Sequence, residues 1–211
     1  MAEDNSKPEY WIQYANLLNE ADESERALEA VDQCLNLDRQ VGDAWALRAI
    51  LLSVKQGREK EALKAATHAV ALDCGGAKLI VLKADLLAET GDLMAAEASL
   101  EKAIDKFPMD AELRSIVASR RLSEGRIEVA QALLDGTPST IDHPELHIVE
   151  GRLHLARADR QRDGTGKTDQ LLLGSAIKSF EAALQLNRET GVAWLGLART
   201  QRLLKNLEEA G

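Results

Sequence analysis

"ETGDLMAAEASLEKAIDKFP", residues 89–108, decides the fold. Gly91 is followed by Ala96, Leu100, Ala103 and Pro108, at steps of five, four, three and five. Steps of three and four keep residues on one face of a helix. The same steps run from Gly57 through Ala62, Ala66 and Ala69 to Cys74. "SEGRIEVAQALL" repeats the start with Gly125, Ala130 and Leu134, and "GSAIKSFEAALQLNR" repeats the end with Ala176, Phe180, Ala183 and Arg188. Near the N-terminus Ala27, Val31, Cys34 and Arg39 stand at those steps again.

A second pattern lies upstream of each copy. Trp11, Tyr14, Ala15 and Leu18 are spaced by three, one and three. So are the quartets that begin at Trp45, Ile80, Arg114, His147 and Trp194. These starts are 34, 35, 34, 33 and 47 residues apart. A fixed period of this size marks a repeat architecture, in which each unit buries its apolar face against the next.

The two patterns together resemble the tetratricopeptide repeat family over nearly the whole chain. The resemblance implies an all-α, right-handed superhelical solenoid of antiparallel helix pairs, each with a helix A and a helix B. The repeats fall at about 8–41, 42–76, 77–110, 111–143 and 144–190, the last with an inserted loop at 160–170, and a partial repeat covers 191–211. Ala15, Ala49, Ala84, Ala118, Gly151 and Ala198 stand where helix A meets its own helix B. Ala27, Ala62, Ala96, Ala130, Ala176 and Ala210 answer from helix B. A larger side chain there overpacks, at roughly 1–3 kcal/mol. Gly57, Gly91 and Gly125 end A helices, where a left-handed backbone suits glycine. Helix B of the fourth repeat is cut short by "DGTPSTIDHPE". The register breaks off at Ala210–Gly211 in mid-repeat, which gives the look of a piece of a longer protein.

Composition narrows the function. The 211 residues hold 35 acidic against 26 basic side chains, a formal net charge of −9. Nucleic-acid binding calls for a basic footprint, so it is not expected. No run of about 18 apolar residues is present, so membrane insertion is not expected. "MAEDNSKPEYW" does not read as a signal peptide. Cys34 and Cys74 are too few for a disulfide framework, and reduced thiols in a cytoplasmic setting are expected.

Chemical motifs are weak. Gly164–Thr168, "GTGKT", imitates the end of a phosphate-binding loop. That motif needs a glycine five positions before Gly166, where Gln161 stands, and a preceding strand, where a helix is expected. The run reads as a solvated turn with possible extra helical turns on both sides. His143, His147, Glu150 and His154 share a helical face, but His147 and His154 fill packing positions, so no metal or other cofactor is expected. No nucleophile–base pair is legible, and an enzyme is not expected.

Binding remains. The resemblance places A helices on the concave side of the solenoid. The register then offers a groove for a partner peptide or helix, lined by Asn16, Leu47, Ile50, Val81, Leu82, Asp85, Ile116, Arg152, Arg199 and Arg202. The other reading is that some of these positions pack between neighbouring A helices. Chaperone-binding members of the family use five Lys, Asn and Arg positions to clamp a carboxylate. Here Asn16 and Lys78 match, while Ile12, Leu47 and Leu82 break the pattern, so that role is not expected. A structural spacer or self-associating module is the alternative to a peptide binder.

Overall fold

The computed structural model describes residues 6–138, 140–165 and 169–210; the side chains of 208–210 are outside the description. The described residues form eleven helices and no strand. Contacts group the chain into two compact units, residues 1–106 and 107–211.

The first unit holds α1 (Pro8–Glu20), α2 (Ser24–Leu37), α3 (Gly42–Ser53), α4 (Glu59–Ala71), α5 (Gly76–Glu89) and α6 (Leu93–Lys106). They pair as α1 with α2, α3 with α4 and α5 with α6, an A helix then a B helix. The A helices α1, α3 and α5 also touch in order. Ala15, Ala27, Ala49, Ala62, Ala84 and Ala96 are all buried at the pair crossings. Their methyl groups let two backbones approach closely while Leu18, Leu28, Val31, Leu51 and Leu52 fill the space around them. Gly57 and Gly91 turn A into B with φ of 80° and 94°. The first repeat makes the same turn without glycine. Asp22 adopts φ 62° there, and Glu23 N–H donates to the Leu18 carbonyl at 2.8 Å. Aspartate is among the few L-residues that visit this region routinely, so glycine is not required.

The second unit holds α7 (Ala111–Ser123), α8 (Ile127–Asp135), α9 (Pro144–Thr165), α10 (Gln170–Leu186) and α11 (Gly191–Ala210). Here α7 pairs with α8, α9 with α10, and α7, α9 and α11 are the A helices in contact order. Asp110 caps α7 by accepting from Leu113 N–H at 2.8 Å, and Asp169 caps α10 by accepting from Leu171 N–H at 2.8 Å. The Asp side chain satisfies an N–H that the first helical turn cannot.

Three expectations need correction. The insertion at 160–170 is largely not a loop: α9 runs 22 residues to Thr165 and α10 runs 17, so the extra length is extra helical turns. The stretch Ala156–Gln161 is made of good helix formers apart from Asp159, and an exposed Arg160–Glu128 pair ties it to α8. Gly166, Lys167 and Thr168 lie outside the described residues. Second, the last segment does not turn from helix A into helix B; α11 is continuous for 20 residues. Third, Ala198 is exposed, unlike its equivalents in the other repeats, because no described helix lies across it. The side chain of Ala210 falls outside the description.

One large residue breaks the alanine pattern. Phe180 of α10 is fully buried. A Cβ on Gly151 of α9 would stand 2.7 Å from its ring, and a Cβ on Gly196 of α11 would stand 2.5 Å from it. Both helices give up a side chain where the ring passes between them.

Candidate functional site

In the first unit, α1, α3 and α5 bring Asn16, Ile50, Val81, Leu82 and Asp85 onto neighbouring helices. Asn16 is exposed, and Ile50 is 49% exposed, high for a large apolar side chain in a helix flanked on both sides. Val81, Leu82 and Asp85 are half-buried, and Leu82 packs against the unit's core. Leu47 is a correction. It is 7% exposed and belongs to the core, because α3 sits between α1 and α5 and its side chain fills that seam.

In the second unit, Ile116 is half-buried on α7, and Arg152, Arg199 and Arg202 are exposed on α9 and α11. Arg152 donates to the Ser119 hydroxyl at 3.0 Å, which ties α9 to α7. Arg199 donates to Asp159 at 3.4 Å, which ties α11 to α9. Asp159 also meets Arg162 at 3.1 Å. Sequence reading missed Asp159 because it lies beyond the usual length of an A helix, in the extra turns of α9. Leu195 stands 73% exposed on α11 next to these arginines in sequence.

A repeated hydrogen bond fixes the A helices. Trp45 Nε1 donates to the Arg39 carbonyl at 2.9 Å, and Trp194 Nε1 donates to the Arg188 carbonyl at 2.8 Å. Both reach six residues upstream. Arg114 holds the equivalent place and its Nε donates to the Pro108 carbonyl at 2.8 Å, again six residues back. Its Nη1 also donates to the Leu133 carbonyl at 3.1 Å, near the C-terminus of the shortened α8. A cation suits that end of a helix dipole.

The histidines do not converge. His147 Nε2 lies 2.7 Å from Asp142 and Nδ1 lies 3.1 Å from Glu150. His143 Nδ1 accepts from Glu145 N–H at 3.3 Å. His154 is half-buried, and its Nδ1 has no hydrogen-bond partner. Among the described residues no group of three His, Cys, Asp or Glu side chains could hold a metal. A neutral imidazole donates from one nitrogen, so two carboxylates favour the cation. Partial burial works against the charge on His147, but Asp142 and then Glu150 outweigh it and hold the pKa above its ordinary value. A raised folded pKa gives stability that is complete below the unfolded pKa and is lost as pH rises through the folded one. His154 is shifted the other way, by burial and then by Arg157. The stabilising effect of His147 over His147→Asn is therefore expected to be largest near pH 5 and to shrink above about pH 6.5. Urea midpoints of the two proteins against pH, both with His154 intact, check this.

Cys34 is fully buried. Cys74 donates to Asp43 at 2.8 Å, and burial and the nearby Asp43 carboxylate push its thiol up to about 11. A thiol held protonated is a poor nucleophile. No helix among the described residues is long and apolar enough to cross a membrane.

Residues 77–105, which span α5 and most of α6, match the tetratricopeptide repeat family model. Curated protein sequences give no match. Solved structures are alike in fold. YrrB, a tetratricopeptide-repeat protein with an unusual peptide-binding site, aligns over 91% of this chain and 92% of its own, with TM-score 0.59 and 20% identity. A human IFIT1 dimer with m7Gppp-AAAA aligns over 96% of this chain with TM-score 0.63 and 22% identity. This chain covers 48% of that protein's length. The C-terminal part of a repeat protein from Cytophaga hutchinsonii aligns over 90% of this chain and 69% of its own, with TM-score 0.65 and 14% identity. The fold is thus the all-α solenoid of helix pairs. One tetratricopeptide repeat is matched, at residues 77–105, and the fold of the chain is that of solved tetratricopeptide-repeat structures.

Proposed function

We propose that the chain binds a partner peptide or helix along the exposed faces of its A helices. What carries the reading is the face of α1, α3 and α5. Ile50 stands half in solvent there, with Val81 and Leu82 half-buried on the next helix and Asn16 and Asp85 as polar neighbours. Apolar partner side chains would cover Ile50, Val81 and Leu82, while Asn16 and Asp85 would fix the backbone. In the second unit, Ile116 would take an apolar contact, and Arg152, Arg199 and Arg202 would take acidic side chains or a C-terminal carboxylate. Arginine forks match carboxylates in two parallel hydrogen bonds. The net charge of −9 works against acidic ligands at long range, so these arginines would orient more than attract.

The proposal extends to a protein partner rather than nucleic acid, on the same charge, and to no catalytic step or cofactor. The free cysteines, one buried and one bonded to a carboxylate, support a reducing, cytoplasmic setting. The test is selection from a displayed peptide library, followed by affinity measurement with Ile50→Glu and Arg202→Glu. Both positions are exposed, so both variants should keep their melting temperature. Ile50→Glu is expected to weaken apolar ligands by about tenfold or more, from roughly 1.5 kcal/mol of lost burial. Arg202→Glu is expected to weaken acidic ligands. Ligands whose affinity neither variant changes would put the binding site elsewhere.

A further inference from the structure

Nearly all of the net charge belongs to the first unit. Residues 1–106 hold 20 acidic and 12 basic side chains, whereas residues 107–211 hold 15 and 14. The shared register of the A helices sets out where some of these charges stand. Five and nine residues on from Trp11, Trp45 and Ile80 come Asn16 and Glu20 on α1, Ile50 and Val54 on α3, and Asp85 and Glu89 on α5. Residues four apart share a helix face, and the three helices touch in order, so these positions form two rows across the unit. The middle of both rows is apolar and open, with Ile50 49% and Val54 77% exposed. Helix α3 is flanked by α1 and α5, so this is not the bare side of a terminal helix. On the flanks Glu20 and Glu89 are exposed and Asp85 is half-buried.

Two of these carboxylates work against their own helices. Glu20 and Glu89 are the last residues of α1 and α5, at the negative end of the helix dipole, where a cation is favoured. None of α1, α3 and α5 has a basic residue in its last turn. Two cations of α3 and the turn after it are directed to α2 instead. Arg48 pairs with Asp32 at 2.9 Å, and Lys55 pairs with Glu25 at 2.5 Å.

We propose that this face selects a basic partner segment, whose apolar side chain covers Ile50 and Val54 and whose flanking lysines or arginines reach the carboxylates on α1 and α5. The inference rests on the A-helix reading given above and adds the charge of the ligand. In an extended chain, residues two apart point the same way and lie about 6–7 Å from each other. Packed helix axes are about 8–10 Å apart. The long stem of lysine or arginine makes up the difference, its methylenes lying on the apolar middle while its head reaches a carboxylate. The same head also meets the last carbonyls of α1 or α5, which the helix itself leaves without a donor. The acidic excess of the unit draws such a segment from a distance. The residues just before α1 do not suit, because they carry Glu3 and Asp4 beside Lys7.

The probe is a displayed library of random linear peptides, selected in parallel on the chain, on Ile50→Gln and on the double variant Glu20→Lys with Glu89→Lys. These positions are exposed, so all three proteins should share one melting temperature. Among the peptides lost on Ile50→Gln, lysine or arginine is expected two residues to either side of an apolar one. On the double variant, aspartate or glutamate should take those places. A synthetic copy of the best basic peptide should bind the chain about fivefold more tightly than its copy with glutamine flanks, from two exposed ion pairs. That ratio should fall toward one as salt rises. If the Ile50-dependent peptides lack basic flanks, or if the double variant selects the same flanks, the charge inference is overturned while the A-helix reading stands. If no peptide depends on Ile50, that reading of the first unit falls and this inference falls with it.

Discussion

Phe180→Ala should cost about 3–5 kcal/mol, the range for emptying a fully buried aromatic site. The ring is wholly buried in α10, and its neighbours on both sides are glycines, which cannot lean in to fill the space. The reverse change should also hurt. Gly151→Ala places a methyl 2.7 Å from the ring, too close for an atom with nowhere to go, and should cost about 1–3 kcal/mol. The pair must then be coupled. Phe180→Leu combined with Gly151→Ala should be clearly more stable than the sum of the single changes, since each vacates what the other occupies. Chemical denaturation of the four proteins closes the cycle, and strict additivity would mean that the contact does not hold the helices together.

Arg114→Leu is expected to cost about 3 kcal/mol. Arg114 is 7% exposed, and its guanidinium serves two backbone carbonyls, Pro108 at 2.8 Å and Leu133 at 3.1 Å. Hydrogen bonds from a charged donor contribute about 1.5–3 kcal/mol each, and acceptors left buried without a donor add to the loss. Arg114→Trp should be milder. Tryptophan at the equivalent positions, Trp45 and Trp194, already makes the upstream bond. It would keep the Pro108 contact and lose only the one to α8. Equal losses for Leu and Trp would show that the upstream bond contributes nothing and that packing alone explains the site.

The repeat was legible because its signal is redundant. Four crossings carry a buried alanine on both helices, Ala15/Ala27, Ala49/Ala62, Ala84/Ala96 and Ala118/Ala130, and Gly57, Gly91 and Gly125 take the left-handed backbone that their positions imply. What was not legible came from substitutions of one solution for another. Asp22 stands in for a turn glycine, and Arg114 stands in for a tryptophan; neither looks like the residue it replaces. Extra turns of α9 and α10 were allowed for, but the loop was set too long because "RQRDGTGKTDQ" has loop-like glycines, whereas arginine and glutamine carry the helix to Thr165. Among the groove positions, Ile50 and Leu47 are three residues apart on one helix, yet one is half-exposed and the other is core. Neighbouring A helices decide that difference, and no single-repeat pattern contains them.

If ligands meet the exposed faces of the A helices, as proposed, a bound peptide must slow hydrogen exchange there. The experiment compares exchange of the chain with and without its best displayed peptide, helix by helix. New protection is expected at the centres of α3 and α5 around Ile50, Val81 and Leu82, or of α9 and α11 around Arg152, Arg199 and Arg202, with α2, α4 and α8 unchanged. Protection confined to those B helices, or none at saturating peptide, would mean that the A-helix faces are not the binding surface.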